Sequence, residues 1–143
     1  MPVFRKDPYS DINFTVQLDG TSAAGFSEVS LPPAWADVIE YREGGEPNTV
    51  RKLPGRIHYG NLILMRGVTG STDLYDWWKT VVDGQVARRT IAVVLQDEAH
   101  NPVMRWIFHR AWPVRYQSSA LNAKGNETVI ETLEIAHEGM EVD

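Results

Sequence analysis

The side chains that could do chemistry are scattered along this chain. Its four histidines, at positions 58, 100, 109 and 137, form neither an HxxxH nor an HxH pair, and there is no cysteine to complete a zinc site. The sequence has no GxSxG element to hold a nucleophilic serine and no glycine-rich loop of the kind that cradles a phosphate. We therefore expect no metal, no cofactor and no enzymatic activity.

One short sequence, DEAH at residues 97–100, matches a helicase box in which the acidic residues hold Mg²⁺. That chemistry needs a phosphate-binding loop earlier in the chain, and this sequence contains none. The four residues lie between two predicted strands and directly precede Asn101-Pro102. We interpret them as a polar hairpin turn, and the match to the helicase box as chance.

The charge of the chain disfavours a nucleic-acid-binding protein, since the formal net charge is −5. The charges are also unevenly placed. Residues 127–143 contain six acidic and no Lys or Arg residues, whereas residues 42–66 contain five basic residues. This asymmetry fits complementary faces on neighbouring copies, and it equally fits two solvated surfaces of one molecule.

The length and hydropathy of the chain set its organisation. The 143 residues predict a single domain spanning residues 1–143. Residues 1–9 have no apolar run behind their basic pair, and no run of about 18 apolar residues occurs anywhere. We expect no signal peptide and no anchoring of this chain in a membrane. The absence of cysteine fits folding in a reducing cytoplasm.

Alternating apolar and polar residues predict a mainly β fold. The clearest case is Ile12 to Asp19, where the period of two gives one buried and one wet face. Gly and Pro clusters separate this run from the next ones. The other predicted strands cover residues 24–30, 35–42, 58–66, 89–96, 102–112 and 127–137.

A single helix is predicted over residues 72–83. Its apolar residues Leu74, Trp77, Trp78 and Val81 fall at i, i+3, i+4 and i+7, which places them in one stripe along the helix. Together with the strands, this predicts a mainly β domain of six or seven strands carrying one α-helix.

A long loop is predicted at residues 43–56, between the third and fourth strands. Glycine and proline residues mark its beginning, and Pro54-Gly55 marks its end. Structureless loops of this length are uncommon in compact domains and are usually functional. We therefore treat this loop as the first candidate for a functional element.

Several distinctive runs of sequence fall in order over nearly the whole chain: AGFSEVS at 24–30, IEYREGG at 39–45, NTVRKLPG at 48–55, LYDWWK at 74–79 and IETLEIAHEG at 130–139. These runs resemble the contractile tail-tube family of phages and related injection systems. The chain departs from that family at residues 31–35, where relatives usually have Gly-Leu followed by polar residues. The resemblance implies a two-sheet antiparallel β-sandwich or barrel with one α-helix.

The resemblance implies a structural protein. Copies would form hexameric rings that stack into a hollow tube, and neighbouring copies would close their sheets into one continuous barrel around the lumen. The protein would be made in the bacterial cytoplasm and assembled into a phage tail or a contractile injection particle. Its partners would be other copies of itself, the sheath and baseplate proteins of the same particle, and cargo protein or DNA in the lumen.

The resemblance also implies that the predicted loop lies among subunits and rings as an assembly element. An alternative is a monomeric β-barrel that binds a small ligand in an apolar cavity. The expected contact residues in the loop are Glu43, Gly44, Gly45, Pro47, Asn48, Arg51, Lys52 and Arg56. The expected acidic partners for its basic side chains on another copy are Glu131, Glu134 and Glu138.

Overall fold

The computed structural model describes residues 13–23, 25–45, 48–125 and 128–143. Within these residues the chain forms ten strands and one helix, which confirms the predicted mainly β fold. In chain order the elements are β1 (Asn13–Leu18), β2 (Thr21–Ala23), β3 (Phe26–Ser30), β4 (Ala34–Tyr41), β5 (Arg51–Tyr59), β6 (Leu62–Gly67), α1 (Asp73–Val82), β7 (Arg89–Gln96), β8 (Pro102–Ser118), β9 (Ile130–Ala136) and β10 (Met140–Val142).

Strand β8 links the two layers of the body. Its first half pairs with β7 and β10, and its second half pairs with β9, all antiparallel. Between the halves, Arg110 has a left-handed backbone with φ of 52° and the register with β7 shifts. A bulge of this kind bends a strand and lets it pass from one sheet to the other.

The resulting first sheet has the order β2-β1-β7-β8-β10, and the second has the order β8-β9-β6-β3. Paired strands end at β2 and at β3, so the described strands form an open two-layer arrangement and not a closed barrel. The inner faces of both sheets supply one core. Its members are Val16, Ile91, Val93 and Phe108 from the first sheet, and Leu62, Leu64, Leu133 and Ile135 from the second.

Helix α1 packs against this core as its apolar stripe predicts. Leu74 and Trp77 are each only 1% exposed, and the Trp77 indole N–H donates to the carbonyl of Ala87 at 2.6 Å. The hydrogen bond satisfies the one polar atom of a buried tryptophan, which would otherwise be costly to bury. The predicted bounds of 72–83 differ from the observed ones by one residue at each end.

Strands β4 and β5 form a separate two-stranded sheet, which we call the arm (residues 34–59, of which 46 and 47 lie outside the described residues). The predicted loop at 43–56 is therefore wrong in its second half, because β5 begins at Arg51. Pro54 was interpreted as part of the end of the loop, but it lies within β5. Proline is tolerated in a two-stranded ribbon where the missing N–H would face outward. Gly55 lies opposite a bulge, where a Cβ would stand 3.1 Å from Cβ of Asp37.

Four further boundaries differ from the predictions. The predicted strand at 58–66 is two strands, interrupted at Gly60 and Asn61. Strand β8 runs six residues past the predicted end at 112, to Ser118. The short edge strands β2 and β10 were not predicted. The last predicted strand, 127–137, is observed over Ile130–Ala136, and residue 127 lies outside the described residues.

Candidate assembly surface

The arm exposes large apolar side chains. Every residue of β4 is exposed, and the exposed large apolar residues of β4 and β5 have between 43% and 62% of their surface accessible. An isolated two-stranded ribbon is only marginally stable in water, and contiguous exposed apolar surface usually marks an interaction site. The exposed members of β4 are Trp35, Val38, Ile39 and Tyr41, and those of β5 are Leu53 and Ile57.

These side chains lie on both faces of the arm. The cross-strand pair Ile39–Leu53 is on one face, because side chains alternate along a strand. Val38, opposite Pro54, and Ile57, opposite Ala36, are on the other. A sheet with apolar residues on both faces is normally covered on both. Among the described residues of one subunit, neither face of the arm is covered.

Polar contacts inside the arm fix its local shape. The ring of Trp35 stacks on that of its cross-strand partner His58, with centroids 5.3 Å apart, and His58 Nε2 lies 2.9 Å from Asp37 Oδ2. Nearer the tip, the Tyr41 hydroxyl donates to Glu43 Oε1 at 2.8 Å, and this hydrogen bond raises the pKa of Tyr41. The arm therefore has an ordered surface to present.

The predicted contact residues of the loop divide between strand and connection. Arg51, Lys52 and Arg56 are exposed residues of β5, and Lys52 lies opposite Glu40. Among the described residues, no carboxylate lies within ion-pairing distance of Lys52 or Arg56. The connection holds Glu43, Gly44, Gly45 and Asn48, whereas Pro47 lies outside the described residues.

The three predicted acidic partners occupy different settings. Glu131 is only 3% exposed, and its Oε1 accepts from Nε of Arg66 at 2.5 Å. We therefore leave Glu131 out of the surface, because its carboxylate is paired inside the subunit. Glu134 accepts from Asn61 Nδ2 at 2.9 Å at the base of the arm. Glu138 is half exposed and forms ion pairs with Arg110 at 2.7 Å and Arg88 at 3.2 Å.

Arg66 is the centre of a polar network that ties α1 to the second sheet. Its guanidinium pairs with both Glu131 and Asp73, and Tyr116 donates to Glu131 Oε2 at 2.9 Å. The hydrogen bond from Arg66 holds the pKa of Asp73 below its usual range. Burial, with the bond to Glu131, raises the pKa of Tyr116. This network stabilises the subunit, and its charged groups pair with one another.

An apolar cleft of about 340 Å³ opens between β3 and the first sheet. The strand ends on either side leave it open, so it does not form the enclosed cavity that a small-ligand barrel needs. Its apolar lining consists of Phe14, Val29, Leu31, Val93, Leu95 and Trp106.

The described residues contain neither a metal site nor a membrane-spanning helix. Across the described ranges, no group of three or more His, Asp or Glu side chains has the arrangement that would hold a metal ion. The helix in the described part of the chain is too short to cross a membrane.

The apolar residues of the arm were missed as site residues. The prediction placed a strand at 35–42 but assigned function only to the loop beyond it. The available signal was that apolar residues fall on both faces of this strand, at Trp35, Val38 and Ile39. Alternation alone cannot tell a strand covered by its own chain from one covered by another.

The described residues form a two-layer β body with one helix and an uncovered two-stranded arm. Residues 10–141 match the family described as T4-like virus tail tube protein gp19, and the chain belongs to that family. It is a tube subunit. Among curated protein sequences the comparison finds no match.

Solved structures agree with this assignment. The chain is 26% identical to a chain in the sheath–tube complex of an extracellular contractile injection system, PVC, in its extended state, with a TM-score of 0.85 over 96% of this chain and 93% of that one. It is 25% identical to a chain of the anti-feeding prophage baseplate, with a TM-score of 0.78 over 100% and 97%. Hcp1 from Flavobacterium johnsoniae shares the fold at 18% identity, with a TM-score of 0.62 over 90% and 93%.

Proposed function

We propose that this protein forms hexameric rings that stack into the hollow inner tube of a contractile injection particle or phage tail. The observation that carries the proposal is the arm, whose apolar side chains are exposed on both faces. Covering them removes apolar surface from water, at roughly 25 cal/mol per Å² before the costs of association. In a self-assembling tube, a second copy of the chain covers these apolar side chains.

Free sheet edges support ring closure. Among the described strands, β2 and β3 each pair on one side only, which leaves backbone N–H and C=O groups without a ladder partner. A head-to-tail contact that closes on itself produces a ring and removes such edges. In the proposed ring, the sheets of neighbouring copies continue into one another around the lumen.

Charge refines the proposed contact. Residues 34–59 carry four basic and four acidic residues, so the net charge of −5 resides in the rest of the chain. The arm is thus less negative than the body that it would meet. Glu134 is the first candidate to face the arm's basic side chains, because Glu138 already pairs with two arginines. The proposed assembly surface comprises Glu43, Gly44, Gly45, Pro47, Asn48, Arg51, Lys52 and Arg56 with the apolar residues Trp35, Val38, Ile39 and Ile57.

The tube is proposed to be a conduit without chemistry of its own. Its partners are the sheath and baseplate proteins of the same particle, and cargo protein or DNA passes through its lumen. The protein is made in the bacterial cytoplasm and acts once it is built into the particle.

Electron microscopy and sedimentation of the purified chain test this function. Six-fold rings or hollow tubes are the expected result. Lys52→Glu and Arg56→Glu, introduced together, are expected to weaken assembly because the reversed charges meet the negative body. Assembly of this variant at wild-type concentrations would contradict the charge contact. A wild-type monomer that binds a small apolar ligand in the cleft would replace the tube with the ligand-binding alternative.

A further inference from the structure

The arm joins the body at two backbone segments that touch. Pro33 precedes β4, and Gly60 follows β5; the Gly60 N–H donates to the Pro33 carbonyl at 2.9 Å. A Cβ on Gly60 would stand 2.7 Å from Cδ of Pro33, which is closer than real Cβ contacts allow. Only glycine fits here without movement, so the base of the arm is tightly packed.

His137, between β9 and β10, contacts this base from the body. Its Nε2 lies 3.0 Å from the carbonyl oxygen of Gly60. Its ring stands edge-on to Phe108, with centroids 5.0 Å apart, and lies 5.5 Å from the ring of Tyr59 at the end of β5. One imidazole therefore touches the hydrophobic core and both residues through which the arm rejoins the body.

The hydrogen bond to Gly60 fixes the tautomer of the ring. A carbonyl oxygen can only accept, so Nε2 carries the proton that it donates to Gly60. Nδ1 is buried and has no hydrogen-bond partner among the described residues. Within the described part of the chain, the bond to Gly60 is therefore the one hydrogen bond that orients the ring.

We propose that His137 is a positioning residue: its hydrogen bond to Gly60 fixes the direction of the arm. The inference rests on the proposed function, because a fixed arm matters only if the arm docks on another copy. An arm held in its docking direction loses less conformational freedom on assembly, which strengthens binding.

Two substitutions separate the hydrogen bond from the packing of the ring. In His137→Gln the side-chain amide N–H can donate to Gly60 in place of Nε2, so the hydrogen bond is kept and the ring is removed. In His137→Phe the contact with Phe108 is kept and the donor is lost. Thermal unfolding of both variants verifies that each is folded before the arm is measured.

Spin-label distances measure the arm directly. The chain has no cysteine, so Asn48→Cys at the end of the arm and Asp83→Cys on the body carry a unique label pair. Labelled chains are diluted into unlabelled ones, so that only distances within one subunit are recorded. At neutral pH we expect narrow distributions for wild type and His137→Gln and a broad one for His137→Phe.

Two results would overturn the inference. One is a His137→Phe distribution as narrow as that of the wild type. The other is a His137→Gln distribution as broad as that of His137→Phe, which would show that the ring and not its hydrogen bond holds the arm.

Assembly then separates this inference from the proposed function. His137→Phe is expected to need about three- to tenfold more protein than His137→Gln to form rings or tubes at neutral pH, the range that one net hydrogen bond provides. Val38→Lys, which alters the arm surface itself, is expected to abolish assembly. If Val38→Lys fails to assemble while His137→Phe matches the wild type, the arm interface stands and the role of His137 is refuted. If Val38→Lys assembles normally, the proposed function fails.

Discussion

Strands β6 and β4 have similar apolar content, but β6 buries every second side chain and β4 buries none. In β6 every second side chain is buried, because β9, β3 and the first sheet cover it. In β4 no side chain is buried, although it carries Trp35, Val38 and Ile39. Strand composition therefore predicts that a surface will be covered, but not which molecule covers it.

The arginines of these two regions differ in the same way. Arg66 of β6 is 4% exposed and pairs with two carboxylates, whereas Arg56 of β5 is exposed and has no carboxylate partner among the described residues. We expect Arg66 to stabilise the subunit and Arg56 to act only between subunits. Each experiment below changes one member of such a pair.

The largest effect is expected from Arg66→Ala. The substitution leaves the buried carboxylate of Glu131 without its guanidinium and should lower the free energy of unfolding by about 3–5 kcal/mol. Urea denaturation of the unassembled subunit measures it. Arg56→Ala is the matched control and should stay within about 0.5 kcal/mol of wild type. Equal losses in the two variants would contradict the division between body and arm.

A smaller difference is expected between two apolar truncations. Leu64→Ala empties a fully buried site and should cost about 2–5 kcal/mol, since both transfer energy and a cavity contribute. Ile39→Ala removes a side chain that is half exposed in the subunit and should cost less than about 1 kcal/mol there. In the assembled state the difference between the two stability costs should become smaller, because Ile39 is then covered by another copy. Unfolding curves recorded below and above the assembly concentration test both statements.

The smallest effect is expected from acid. The pKa of Asp73 is lowered in the folded subunit by its bond to Arg66, so its contribution is present above the pKa of the unfolded chain and is lost as the pH falls through the folded value. Stability should therefore decline below about pH 4, near the ordinary value of an aspartate. Asp73→Asn should flatten that decline. An identical acid profile in Asp73→Asn, followed by circular dichroism, would remove Asp73 from this account.

Periodicity was sufficient to predict the body. Strands β1 and β7 and helix α1 were found because each buries one face or stripe against its own chain. The ion pair of Arg66 with Glu131 could not be found in this way. The two residues are cross-strand partners, so their meeting depends on the register of β6 with β9, which no local pattern specifies.

The arm was predicted in part. Strand β4 was placed within one residue, but Pro54-Gly55 was interpreted as the end of a loop and concealed β5. Local turn chemistry is ambiguous at such a site, because a bulge and a turn use the same residues. The break at Gly60 depends on its contact with Pro33, which the sequence does not reveal. The assembly surface itself involves another copy and lies beyond any single-chain pattern.

The most direct test of the account is a pair of identical substitutions at equally exposed valines. Val38 of the arm is 62% exposed, and Val82 at the end of α1 is 65% exposed. Val38→Lys and Val82→Lys, compared with wild type by electron microscopy and sedimentation, give each site the same charge. The account predicts rings or tubes for wild type and Val82→Lys, and only folded single subunits for Val38→Lys. Rings or tubes of Val38→Lys at wild-type concentrations would contradict the claim that the arm builds the tube.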